Sequence, residues 1–169
     1  MKHTAVNMHD YHVWANQTMF GRLKELPEVY NQEVQSVFPT VSKVMAHIYL
    51  TDLCWFDILS GASMAEALSV GHGPLKEQTE SKSIGELEAL YAQLAEKYRA
   101  YFSQQPDLEQ TLTLDNPYAG IRDTSVTEII LQVVNHGTYH RGNITAMLRQ
   151  MGHASVMTEL GLFWHVGPN

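Results

Sequence analysis

A single cysteine, Cys54, leaves the chain unable to close a disulfide within itself, and nothing in its thiol content points to an oxidising compartment. Basic residues are scarce. There are 11 Lys and Arg against 18 Asp and Glu, a formal net charge of -7 and a pI near 5.6. A field of that sign opposes phosphate binding, so no nucleic-acid contact is expected. Long apolar runs are missing as well, because the longest is broken by His47, Asp52 and Asp57, which excludes a membrane span of about 20 residues. The opening MKHTAVNMHDYH has neither an apolar centre nor a small-residue cleavage site. A cytoplasmic protein is therefore expected, and 169 residues suit one domain, 1–169, with a proper core.

What is present is a periodic segment with two histidines in it. Between Ile129 and Met151 the chain reads IILQVVNHGTYHRGNITAMLRQM, with apolar or small residues at Ile130, Val133, Gly137, Ile144, Met147 and Met151. That spacing of three and four marks one face of an amphipathic helix, and position 140 continues it. His136 and His140 stand one turn apart, so both imidazoles can reach the same space. Two core histidines hydrogen-bonded to neighbours would give the same pattern, and a divalent ion needs a third ligand. His47, set among apolar residues in VSKVMAHIYLTDLCWFDIL, is the candidate.

The remaining elements follow from periodicity and punctuation. Tyr11, Trp14, Ala15, Met19, Leu23 and Leu26 predict a first helix over about Thr4 to Glu25, closed by Pro27. His9 and His12 lie on it, flanking Asp10, and are expected at the surface or rim. His3 is expected in a frayed end. Pro39 suits the first turn of a second helix running to about Ser60, with Gly61 just past its end. Ala62 to Lys82 reads as a long connection with one helical turn around Met64 to Leu68, crossing the mouth of a site, and His72 there reads as a turn residue or a substrate contact. A capping box, Ser83 to Glu86, opens a third helix that ends before Pro106. Gln110 to Asp123 predicts a short hairpin or extended excursion, and a second capping box, Ser125 to Glu128, opens the fourth helix. The tail after Gly152 has no period, yet Leu160, Leu162, Phe163 and Trp164 require docking on the bundle or on a partner chain. The fold class is thus all-α, an up-down four-helix bundle with that excursion before the last helix.

In such a bundle, facing helices bring side chains to one ion, and the geometry permits His47 to join His136 and His140. Three neutral imidazoles suit Zn²⁺ or Ni²⁺, with Fe²⁺ or Cu²⁺ also accommodated, and the absence of clustered carboxylates argues against Ca²⁺ or Mg²⁺. Three protein ligands leave a coordination position for water or substrate. Thr51 and Asp52 are candidates for a partner behind a ligand, or for a substrate contact. Arg141 is a candidate for an anionic substrate group, or else a surface or interhelical salt bridge. Cys54 reads as a small buried hydrophobe. No Glu stands inside the histidine pair, so the general base of the HExxH peptidases is missing. No residue is singled out as catalytic.

Tyr11-x-x-Trp14-Ala15-Asn16, the second-helix His47 followed by Asp52 and Trp55, and above all NHGTYHRGN over Asn135 to Asn143 resemble the DinB-like, or YfiT-like, metalloenzyme family over nearly the whole chain. The resemblance implies an up-down bundle holding a divalent metal on His47, His136 and His140. It also implies a superfamily that contains transferases acting with low-molecular-weight thiols such as bacillithiol or mycothiol, some members being linked to DNA-damage induction. Asn143 stands where Gln is expected, and Asp52 where Glu is common. The expected function is metal-dependent thiol S-transfer with a small-molecule thiol and an electrophilic substrate. A metal-dependent hydrolase and a non-catalytic metal-binding or interaction module closed by His9 or His12 are the alternatives. A homodimer is the expected assembly, and Gly142 is expected to mark a close helix approach.

Overall fold

Each long helix begins where a side chain caps its free amides. In the computed structural model, which describes residues 2–167, His3 Nδ1 accepts from the Ala5 amide at the start of α1 (Thr4–Glu25). Thr40 Oγ1 does the same for Lys43 at the start of α2 (Val41–Leu59). The chain then makes two short helices, α3 (Met64–Leu68) and α4 (Gly73–Glu80), before α5 (Ile84–Gln104). A two-stranded antiparallel hairpin, β1 (Thr111–Asn116) and β2 (Gly120–Ser125), precedes α6 (Val126–Gln150), and α7 (Leu160–Val166) ends the fold. The capping boxes at Ser83/Glu86 and Ser125/Glu128 are both formed, which sets the first residues of α5 and α6.

The protein is mostly helical, and α1, α2, α5 and α6 share one core built on residues such as Phe20, Met45, Ile48, Ile130, Ile144 and Met147, all fully buried. Burial of each such side chain contributes roughly 1.5–3 kcal/mol. Two tyrosines of α5 pin it to α2. Tyr91 donates to the carbonyl of Met45 at 2.7 Å and Tyr98 to that of Asp52 at 2.8 Å. Among the described residues no helix is long and apolar enough to cross a membrane.

Several expectations are corrected. Pro39 stands outside α2, because Thr40 takes the cap position. Ala62 to Lys82 is not a single helical turn in a loop: α4 follows α3, and Gly73 and Pro74 form its first turn. His3 caps α1 instead of fraying. The tail is ordered into α7, whose Phe163 packs on Tyr11 and Trp14 with ring centroids 5.8 and 5.6 Å away, so it docks on its own chain. Nothing lies within 4 Å of a Cβ built at Gly142, so no close approach explains that glycine. The close approach is at Gly137, where a Cβ would stand 2.3 Å from His12 Cε1 and 2.9 Å from an Arg141 guanidinium nitrogen.

Candidate metal centre

α2 presents His47 and α6 presents His136 and His140 to one point. One nitrogen from each ring lies within 4.8 Å of the other two, and the Nε2 atoms of His47 and His136 are 3.1 Å apart. Among the described residues no Asp, Glu or Cys joins this group. His140 Nδ1 stands 3.0 Å from Asn143 Oδ1, an acceptor, so Nδ1 carries the proton and Nε2 keeps its lone pair. Thr51 Oγ1 lies 3.5 Å from His136 Nε2. Phe38 closes one side, its ring centroid 5.0 Å from that of His47 and 5.5 Å from that of His140.

Electrostatics keep these rings neutral. Burial, with His140 and Lys76 nearby, pushes His47 down to about 4. Burial and the two neighbouring imidazoles push His136 down to about 3. Burial lowers His140 too, opposed by its bond to Asn143. Each ring therefore offers a lone pair at neutral pH, as a metal ligand must. A cleft of about 390 Å³ opens beside His47, lined also by Thr51, Cys54, His72, Lys76 and Glu80. His72 thus has a place beside the site as well as at the start of α4. Cys54 is buried as expected, and desolvation raises its thiol to about 11.

The DinB family model matches residues 1–167. The chain belongs to the DinB family. It is 51% identical over 164 residues to Protein DinB of Bacillus subtilis (strain 168), a match covering 96% of this chain and 95% of that protein. Membership agrees with the resemblance carried by NHGTYHRGN. In this DinB-family chain the convergent nitrogens are placed where they could hold a metal ion. Three neutral imidazoles stand close enough to share one cation.

The turn of α6 that carries His136 and His140 is backed by a second polar group that the spacing alone did not reveal. His9 and His12, expected at the rim, are both 2% exposed. The burial follows from spacing, since Ala5, His9, His12, Asn16 and Leu23 fall three, four or seven apart and continue one buried face of the family's first helix. Arg141, also 2% exposed, donates to Asn16 Oδ1 at 2.9 Å, to Thr138 Oγ1 at 2.9 Å and to His12 Nδ1 at 3.3 Å. It is therefore held by neutral acceptors and forms no surface ion pair. A guanidinium can only donate, so His12 Nδ1 accepts and its Nε2–H donates to Asp52 Oδ2 at 2.8 Å. Asn16 Nδ2, 3.0 Å from that same Nε2, then makes contact without a hydrogen bond. Asp52 thus answers the buried charge of Arg141 through one neutral ring, and neither His9 nor His12 joins the triad among the described residues. Gly137, between His136 and His140, leaves the room His12 needs.

Proposed function

We propose that this chain is a divalent-metal-binding protein, with His47, His136 and His140 as ligands and zinc or nickel as the ion, that transfers a low-molecular-weight thiol to an electrophilic small molecule. The observation that carries this reading is the mutual approach of the three ring nitrogens to within 4.8 Å beside an open cleft. When bound, such an ion supplies the charge that lets a coordinated thiol lose its proton near neutral pH. The three imidazoles fix the cation, and Asn143 fixes the tautomer of His140. Lys76 gives the cleft a cationic side chain for the anionic end of a substrate. Cys54 lines the same cleft, but a thiol raised to about 11 stays protonated at pH 7, so the attacking sulfur comes from a cosubstrate. In the transfer, sulfur bonds to the electrophilic carbon, the leaving group departs with its electron pair, and the thiol proton passes to solvent.

Hydrolysis has less support, because among the described residues no carboxylate joins the triad and Glu80 in the cleft lies 3.8 Å from Lys76. An up-down four-helix bundle is the architecture we infer, supported by four long helices on one core. A homodimer is the assembly we infer, supported by Leu131, Tyr139 and Ile121, which are 41%, 64% and 73% exposed.

The test is protein purified without a histidine tag, analysed for metal and assayed with small thiols and an aryl halide. Stoichiometric transition metal and thiol-dependent turnover that vanishes on chelation are expected. Turnover in metal-free protein would sink the reading, and cleavage of simple esters or amides with no thiol requirement would replace it with hydrolysis.

A further inference from the structure

A second cleft, of about 310 Å³, lies between α1 and α5, and it shares no lining residue with the cleft beside the triad. It exists because α5 offers Gly85, Ala89, Ala92 and Ala95 at helical spacing where larger side chains would have closed the gap. Phe20 and Leu94 make its walls apolar, and its volume is at the lower end of the roughly 300–1,000 Å³ typical of small-molecule pockets.

Two buried side chains in its lining are left unsatisfied. Asp52, 4% exposed, spends Oδ2 on His12 and has no partner for Oδ1. His9, 2% exposed, has no partner for Nδ1. A buried polar atom left without a partner is destabilising, more so where the group is charged. The charge of Asp52 is already answered by Arg141 through His12, so what the cleft lacks is a neutral hydrogen-bond donor, with no further cation required.

We propose that this cleft binds a small apolar molecule carrying one neutral O–H or N–H donor. The donor bonds to Asp52 Oδ1, and the apolar body lies along Ala89 and Ala92 of α5. The site is separate from the metal centre and does not depend on what the metal does.

Methyl-resolved NMR on the full chain tests this, with phenol and indole as probes and toluene as a donor-free match for phenol in shape. Saturable shifts at the methyls of Ala89, Ala92 and Ala95 are expected with phenol and indole, and toluene is expected to bind roughly tenfold more weakly or worse. Ala92→Phe, at the exposed mouth of the cleft, is expected to abolish these shifts while zinc uptake is unchanged. Three outcomes would overturn the proposal: no saturable shift for phenol or indole up to their solubility, equal affinity for phenol and toluene, or shifts that persist in Ala92→Phe.

Discussion

Two groups of histidines, each with a pair at helical spacing, meet opposite fates in this molecule. His136 and His140 on α6 turn nitrogens toward His47, which lines an open cleft. His9 and His12 on α1 are buried more deeply. His12 has both ring nitrogens in use, one taken by Arg141 and one given to Asp52. His9 packs its ring on Tyr98 and Phe102, with centroids 4.6 and 5.2 Å away. Spacing decides which way a ring faces. What the neighbouring side chains have already claimed decides whether its nitrogens are free.

The largest effect that would break this contrast is on the metal. Ala at His136 or His140 is expected to weaken zinc or nickel binding by more than the roughly 10–100-fold typical of losing a partner behind a ligand, whereas His9→Phe is expected to leave it intact. Calorimetric titration of the variants checks both, and tight binding by His140→Ala would erase the distinction between the two groups. Next comes stability. Asp52→Ala leaves Arg141 buried without its answering charge and is expected to cost about 3–5 kcal/mol in urea unfolding. A cost under 1 kcal/mol would mean that the ring of His12 does not link the two charges. Gly137→Ala, which drives a methyl into His12, is expected to cost about 1–3 kcal/mol by the same measurement, while Gly142→Ala, with open space around it, is expected to be neutral or stabilising.

The remaining effect is on pH. The folded pKa values of His47 and His136 are lowered to about 4 and 3, so the lone pairs survive as pH falls through 6.5, where an ordinary histidine protonates. Metal uptake is therefore expected to hold at pH 5.5 and to fail as pH approaches about 4, and a midpoint at 6.5 would show rings as open to water as free histidine. For His9, lowered to about 3 by burial, the unfolded chain binds the extra proton first. Its stabilising contribution is full above about 6.5 and is lost as pH falls toward 3, and His9→Phe is expected to flatten that slope.

Much of this was legible in the sequence, because long helices announce themselves through a buried face. The starts at Ser83 and Ser125 were readable from their capping boxes, and the three histidines from a stripe of apolar neighbours. α4 was not readable. GPLKEQTE buries only Thr79, so it has almost no periodic signal, and its Gly and Pro read as breakers. His9 and His12 were misplaced because acidic Asp10 between them suggested water, although their spacing from Ala5 and Asn16 already set them on the inner face. Arg141 was misplaced for a related reason. Its cost of burial is offset by acceptors on α1, a helix more than a hundred residues away in sequence, and no local pattern reports that.

The missing side chain at position 137 makes two distant stretches of chain share one allotment of volume. Any methyl added there has to be matched by a trim at position 12, so changes at the two sites are expected to be coupled and not additive. A smaller residue at 12 combined with alanine at 137 is the combination to try, with the gap between the sum of the single changes and the double change measuring how tightly the first helix is wedged against the turn that carries His136 and His140.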